Sequence, residues 1–341
     1  MDVLVLMGGP SLEHDVSIVS GSGMIKELSE KYAEVYPIFI DKDGLWNWQS
    51  QGLNLENRKK FELSSFLKNA DVINQELPGK YDLPGEASSR IALLGLHGGF
   101  GEDGKIQAYL ELMKIAYTGS GFLGSALAMD KVKTKEIYQI HKIPTAPWSV
   151  IHSSDWAAGL KKVEQLFEYP MILKDPAGGS SYHITKAANH EDAIVFLEDI
   201  CIKIPKILVE KCIVGRESSC GFIENADAVP PTEIRPLNKD AFFDFEAKYQ
   251  GNSEELTPAP FTEQWTKEIQ NYSRQAHEIL GLGGYSRTDF ITDLHGIHFA
   301  LETNTLPGFT PSSLLPQQAQ CIGWDYSRLL DEIIDLGLQR K

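Results

Sequence analysis

The chain opens on a short apolar run, Asp2–Met7, which ends in Gly8-Gly9 and gives way to a helical pattern from about Val16 to Leu28. A strand, a glycine turn and a helix form the start of an open α/β sheet. Val35–Ile40 predicts a second strand, and Lys80–Ala87 is a Pro/Gly-rich loop. Ile91–Leu96 predicts a buried strand that runs into His97-Gly-Gly-Phe-Gly-Glu-Asp-Gly104. This first unit ends near Gly119. From about Ser120 the pattern is a helix rich in Ala, Met and Lys, broken by Ile143-Pro-Thr-Ala-Pro-Trp148. Pro170–Lys174 and Ile204–Glu210 predict strands, with a helix over Ala187–Asp199 between them. The last third predicts a strand at Glu217–Ile223, a loop at Pro230–Leu237, a helix at about Thr262–Leu280 and a hairpin over Tyr285–Thr303. There is no internal repeat and no low-complexity tail.

The hairpin carries the first candidate chemistry. Asp293-Leu-His-Gly296 is a turn between two alternating segments. If Thr292 pairs with Ile297, then Arg287, Asp289 and Ile291 share a face with His298, Ala300, Glu302 and Asn304, because side chains alternate along a strand. Asp289 and Glu302 then become diagonal neighbours with Cα atoms roughly 7–8 Å apart. Two carboxylates so placed, with the neutral oxygen of Asn304, suit a hard cation such as Mg²⁺. A one-residue slip would turn Asp289 to the other face, and a solvated edge hairpin is the alternative reading. Asn304–Leu314 follows as a polar, glycine-containing loop before a helix, whose backbone N–H groups and serines suit a carboxylate or an oxyanion.

Composition narrows the class. With 341 residues the chain holds roughly two or three domains, and 42% hydrophobic with 23% charged residues is ordinary for a globular protein. The net charge of −15 argues against a general nucleic-acid or anionic-membrane partner. No run approaches about 18 apolar residues, so no transmembrane helix is expected. Met-Asp-Val-Leu-Val-Leu lacks a basic segment and reads as a strand, not a signal peptide. Cys201, Cys212, Cys220 and Cys321 have neither zinc nor disulfide spacing. They read as reduced, mostly buried thiols in a cytoplasmic protein.

The ordered motifs then carry a resemblance. Arg287-x-Asp-Phe, followed by Glu302-x-Asn-Thr-Leu-Pro-Gly-x-Thr-x-x-Ser-Leu314, resembles the C-terminal signature of D-alanine–D-alanine ligases of the ATP-grasp superfamily. Gly8-Gly-Pro-Ser-Leu-Glu-His-Asp-Val-Ser17, Leu96–Gln107, Tyr117-Thr-Gly-Ser-Gly121, Ser125–Lys131 and Glu246-Ala-Lys-Tyr249 fall in the family's order. Lone G-G-x-S turns mostly cap helices, whereas six ordered motifs are specific. The resemblance implies an α/β chain, with α+β character in its ATP-grasp part. The units would be an N-terminal Rossmann-like, open parallel sheet domain at 1–119, a small ATP-grasp subdomain at 120–209, and a C-terminal subdomain at 210–341 with the metal site and closing loop.

The implied activity is ATP-dependent joining of two D-alanines through a D-alanyl phosphate, which supplies the dipeptide for peptidoglycan synthesis, cell-wall biogenesis and cell shape. Lys131 and Lys174 would meet the ATP phosphates, and the loop holding Ser180 and Ser181 would fold over them. The backbone of Lys211–Ile213 would meet adenine, Glu210 its amine and Glu217 the ribose. Lys248 would assist the transferred phosphoryl group. Asp289, Glu302 and Asn304 would hold Mg²⁺ or Mn²⁺, two ions per site. Glu13 would bind the first substrate's ammonium, near His97, and Ser313 with the N–H of Leu314 would bind the second substrate's carboxylate. Arg287 and the N–H of Gly308 would stabilise the oxyanion, and Glu13, Ser180 and Tyr249 would tie the lid down. The alternatives at these positions are surface lysines, plain surface acids and, for His97 and His14, structural histidines. The resemblance also implies a homodimer.

One stretch departs from the family pattern. In Lys174-Asp-Pro-Ala-Gly-Gly-Ser-Ser-Tyr-His183, Asp175 replaces the usual proline and His183 the last glycine. Glycine at such a position serves positive φ or close approach to phosphate. Histidine adopts positive φ at some cost. His183 motivates a weakly active nucleotide-binding homologue as one alternative, and a related ligase that takes D-serine or D-lactate is another. Tyr249 favours an amine as second nucleophile, because ester-forming relatives usually lack it.

Overall fold

The structure, a computed structural model, describes residues 1–32, 34–69, 71–179, 183–237 and 253–340. Among the described residues the strands form three sheets. The first is built from β1 (Asp2–Gly8), β2 (Glu34–Ile40), β3 (Leu45–Gln49), β4 (Val72–Glu76), β5 (Arg90–Leu94) and β6 (Ala116–Tyr117), in the order β4-β3-β2-β1-β5-β6. Its centre is parallel, with β1 between β2 and β5 and β6 beside β5. β3 and β4 add an antiparallel edge, so the expected parallel sheet is mixed. Val3–Met7 expose no surface, which is why β1 reads as a continuous apolar run with no alternation. Helix α1 (His14–Glu27) places Met24 and Ile25 in this core. The short helices α2 (Leu55–Lys59), α3 (Leu63–Leu67) and α4 (Gly99–Glu102) follow, then α5 (Lys105–Leu112).

The helix expected from Ser120 is two helices, α6 (Phe122–Met129) and α7 (Lys131–Ile140). The break is at Asp130, whose carboxylate accepts the N–H groups of Val132 and Lys133 and caps α7. The second sheet contains β7 (Trp148–His152), β8 (Met171–Lys174), β9 (Ile184–Ala187) and β10 (Lys206–Lys211), all antiparallel in the order β7-β10-β8-β9. Helices α8 (Trp156–Val163) and α9 (His190–Ile200) bury Leu160, Val163 and Leu197 against Met171, Leu173 and Val209. α9 begins at His190, later than the Ala187 expected. Ala187 is engaged in β9, and the Asn189 side chain caps the helix by accepting from the Asp192 N–H.

The third sheet contains β11 (Gly215–Ile223), β12 (Thr232–Pro236), β13 (Ser253–Leu256), β14 (Tyr285–Asp293) and β15 (His298–Asn304), in the order β13-β12-β11-β14-β15. The expected loop at Pro230–Leu237 therefore contains a strand. Its prolines bracket the pairing segment at the ends, where a missing N–H costs little. α10 (Glu263–Ile279), capped by Thr262, packs Ile269 and Ala276 against Phe290 and Ala300. α11 (Leu314–Cys321) and α12 (Tyr326–Gln339) complete the chain, and α12 returns to the first sheet with Leu329, Leu330, Ile333 and Ile334 in its core.

The hairpin register differs from the expected one. Thr292 pairs with His298, not Ile297, and a bulge between Asp289 and Phe290 leaves Leu301 as the extra residue. Past the bulge Asp289 lies directly opposite Glu302, and Arg287 opposite Asn304. His298 and Ala300 thus belong to the Phe290/Thr292 face, while the four site residues keep a common face. The bulge is held from outside the sheet, since the Ala300 N–H donates to the Pro144 carbonyl at 2.8 Å.

No helix of the described residues is long and apolar enough to cross a membrane. The four cysteines are free. Only Cys220 is buried; Cys201 and Cys212 are intermediate and Cys321 is exposed, so they are not mostly buried as expected.

Candidate active site

The C-terminal end of the first sheet, the start of α7 and the β14–β15 hairpin meet around one cavity. Its lining includes Glu13, His97, Glu102, Lys131, Gly178, Gly179, Arg287, Glu302, Asn304 and Gly308. The structure thus brings together seven of the residues expected from the sequence. Asp289, Lys174 and Glu210 stand behind that lining, through the contacts described below. Ser180, Ser181, Lys248 and Tyr249 lie outside the described residues.

The hairpin presents two opposed carboxylates. Directly paired residues of an antiparallel pair have Cβ atoms about 4.5–5.5 Å apart. Asp289 is buried, and its carboxylate accepts from Arg287 at both oxygens, Nε to Oδ1 at 3.0 Å and Nη2 to Oδ2 at 2.9 Å. Ser219 Oγ donates to Oδ1, and Asn304 Nδ2 to Oδ2 at 3.2 Å. Glu302 Oε2 lies 3.0 Å from Lys131 Nζ. Behind this face Thr288 and Thr303 are paired at 2.8 Å, and Tyr138 of α7 joins Thr303. That polar chain fixes the helix to the hairpin.

The donor set of two carboxylates and an amide suits a hard divalent cation. Arg287 and Lys131 already pair with these carboxylates, so a cation there would share them with the two side chains. For Asn304 to act as a ligand, its amide must turn Oδ1 toward Asp289 in place of Nδ2.

One turn further along α7 lies a second buried cluster. Glu210, at the end of β10, shares its carboxylate between Lys135 and Lys174, with Lys174 Nζ at 2.6 Å from Oε2. Burial alone would raise the Glu210 pKa, but the two ammonium groups outweigh it and hold it at about 2. Lys135 has no exposed surface, and burial pulls its pKa down against the opposing pull of Glu210. Lys131 also donates to the Gly178 carbonyl at 2.6 Å. Burial opposes its charge, yet Glu302 and then Asp175 raise its pKa.

Sequence reasoning gave Lys135 no role. The available signal was its spacing of four from Lys131, which sets both on one face of a capped helix. Glu102 lay within a quoted motif and was likewise given no role. Burial and then the Glu13 carboxylate push its pKa up to about 8.

The remaining expected residues divide by position. Glu13 precedes α1 and sits so close to the glycines that a Cβ on Gly98 would come within 2.3 Å of its carboxylate. Gly98 also has φ +63, so the motif needs glycine there twice over. His97 is buried, and both of its ring nitrogens have protein partners. Nδ1 donates to the Leu306 carbonyl at 2.9 Å, which leaves Nε2 to accept from Ser20 Oγ at 2.7 Å. Burial pulls its pKa down, so it is a neutral tie between the first sheet and the 305–308 loop. His14 Nδ1 meets the Gly9 carbonyl at 2.8 Å.

Ser313 precedes α11, with Oγ accepting the Thr310 N–H at 3.0 Å, and Leu314 begins the helix. The Lys211 N–H donates to the Pro147 carbonyl, Ile213 follows beyond the strand, and Glu217 pairs within β11. Ser313, Leu314, Lys211, Ile213 and Glu217 do not contribute to the cavity wall. His183 has φ +54, and its carbonyl accepts the Asp175 N–H at 3.0 Å. The replaced glycine position is therefore one that glycine favours.

The chain is similar to known proteins along its whole length. Family models described as D-ala D-ala ligase N-terminus and D-ala D-ala ligase C-terminus match residues 2–120 and 137–335. A D-alanine–D-alanine ligase of Leptospira biflexa is 37% identical over 350 residues, covering 98% of each chain. The VanG D-Ala:D-Ser ligase of Enterococcus faecalis superposes with TM-score 0.86 at 26% identity, over 98% of this chain and 99% of that one. The D-alanine–D-alanine ligase of Bacillus anthracis complexed with ATP gives 0.76 at 28% identity, over 99% and 98%. With both of its halves matched, the chain belongs to the D-alanine–D-alanine ligase family.

Proposed function

We propose that this chain joins two D-alanine molecules at the expense of ATP, and that Asp289 and Glu302, directly opposed beside Arg287 and Lys131, form the centre of its reaction site. That paired geometry is the observation that carries the reading. Forming an amide in water is uphill, so one carboxylate is first activated by phosphoryl transfer as a D-alanyl phosphate. The amine of the second D-alanine attacks the acyl carbon, the tetrahedral oxyanion collapses, and phosphate leaves. The dipeptide feeds peptidoglycan synthesis, which places the enzyme in the cytoplasm.

The site roles are those that the family resemblance implies. Lys131 and Lys174 hold phosphates. Glu210 takes the adenine amine, Glu217 the ribose and the Lys211–Ile213 backbone the ring. Glu13 binds the first ammonium, with His97 shaping that wall. Arg287 and the Gly308 N–H receive the oxyanion, and Ser313 with the Leu314 N–H receives the second carboxylate. Asp289, Glu302 and Asn304 would hold Mg²⁺, two ions per site, which would supply charge neutralisation for phosphoryl transfer.

The division at 119/120 and 209/210 is supported by one sheet per part, although β10 runs on to Lys211. The active form is a homodimer.

The test is ADP release in Mg²⁺ with D-alanine alone, with D-alanine plus D-serine or D-lactate, and with L-alanine. Release with D-alanine alone is expected. Release that requires D-serine would move the chain to the other specificity, and no D-alanine-dependent release would refute the ligase reading. Chelation should abolish activity, and Mg²⁺ or Mn²⁺ should restore it.

A further inference from the structure

We propose that Lys135 is a positioning residue for the nucleotide, a fixed counter-ion that holds the Glu210 carboxylate while Lys174 moves between Glu210 and a phosphate. The inference rests on the reading of Lys174 and Glu210 as nucleotide contacts.

Without nucleotide the two assignments conflict. Lys174 sits 2.6 Å from the Glu210 carboxylate, so a phosphate must compete with that carboxylate for its ammonium group. Glu210 is only 3% exposed, and stripping a buried carboxylate of its partner costs several kcal/mol. Lys135 removes the conflict, because it pairs with the other carboxylate oxygen. When Lys174 turns to a phosphate, Glu210 keeps one ammonium and keeps its orientation.

Lys135 is unsuited to the phosphate role itself. It is fully buried, whereas Lys131 and Lys174 each keep 8% exposure. Its ammonium is also held by Thr145. The single Thr145 hydroxyl proton goes to the Ala300 carbonyl at 2.9 Å, so the oxygen accepts from Lys135. The same lysine thereby ties Glu210 to the bulged end of the carboxylate hairpin. Two ammonium groups on one carboxylate leave the trio with a positive surplus, which favours a polyanion at its open side.

The experiment measures steady-state kinetics and melting temperature on the full chain for Lys135→Met, Glu210→Gln and their combination. Lys135→Met should lock Lys174 onto Glu210 and raise KM for ATP by about tenfold, in line with one lost hydrogen bond to a charged group, while KM for D-alanine stays unchanged. In the Glu210→Gln background nothing remains to lock, so adding Lys135→Met should change KM for ATP by less than about twofold. A merely structural lysine would lower the melting temperature and the active fraction and leave both KM values alone.

The inference is overturned by an unchanged KM for ATP in Lys135→Met, or by the same rise in both backgrounds. Should Lys135→Met not fold, Thr145→Val keeps the charge and removes the acceptor. It should raise KM for ATP by about threefold, a fraction of a full hydrogen bond, and no rise overturns the inference. Absence of ADP release by the unsubstituted chain refutes the functional reading instead.

Discussion

Two buried charge clusters meet on the face of α7 that carries Lys131 and Lys135, and they differ in charge balance. On the hairpin side the charges are matched: Asp289 is clamped by Arg287, and Glu302 is paired with Lys131. On the sheet side, lysines dominate: Lys135 and Lys174 share Glu210. Each cluster satisfies its charges internally, as buried charges must. The lysine cluster keeps a positive surplus that suits a polyphosphate, whereas the hairpin offers carboxylate oxygens that a cation would share with Arg287 and Lys131. The hairpin groups are set by strand pairing, so their spacing is rigid. The lysines are long side chains on α7 and β8, so they can exchange partners.

The largest effect should come from breaking the hairpin. Asp289→Asn keeps the shape and removes one charge. Turnover should fall by about 10³-fold or more, the scale of several kcal/mol lost from charge neutralisation, and raised Mg²⁺ should not restore it. A loss below about tenfold would show that the carboxylate pair is not the reaction centre.

The next effect tests the lysine side. Glu210→Gln leaves two ammonium groups facing a neutral amide, and should lower stability by about 3–5 kcal/mol, the range for breaking a buried pair, read by denaturant unfolding. The wild-type contribution also has a pH signature. The Glu210 pKa of about 2 lies below its ordinary 4.5, so its stabilisation is present above the ordinary value and is lost as pH falls from there toward 2. The substituted chain should show a flatter acid limb.

A smaller effect has the opposite sign. The Glu102 pKa is raised to about 8, so its contribution is present below the ordinary carboxylate value and is lost as pH rises through about 8. The melting temperature of Glu102→Gln relative to wild type should climb between mildly acidic and alkaline pH. A constant difference would contradict the burial assigned to this carboxyl.

The smallest effect concerns His183, at φ +54. His183→Gly relieves backbone strain of about 1–2 kcal/mol. Turnover should be equal or faster and KM for ATP equal or lower; a large loss would show that the imidazole has acquired a role beside Asp175.

Much of this was legible in the sequence because it is local. The hairpin follows from alternation and an Asp-Leu-His-Gly turn, and α10 from a capped amphipathic pattern. The bulge at Leu301 was not legible, because the Pro144 carbonyl that holds Ala300 belongs to a distant segment. The observed one-residue shift from the expected register would by itself have moved Asp289 to the wrong face, and the bulge offsets it. Lys135 acquires its meaning from Glu210, on a different strand. β3 and β4 are short and carry polar residues in both segments, LWNWQ and VINQE, so neither pattern stood out.

The return of α12 to the first sheet bears on how the protein is made. Leu329, Leu330, Ile333 and Ile334 join a core that includes Val3–Met7 and Ile91–Leu94. Gly337 passes so near the Tyr117 carbonyl that a Cβ there would lie 2.7 Å from it. During synthesis the first sheet therefore emerges long before the helix that covers one of its faces. A ribosome-bound chain must carry that apolar face exposed until α12 is free, so the first sheet can form early but is sealed only after both later sheets have been made.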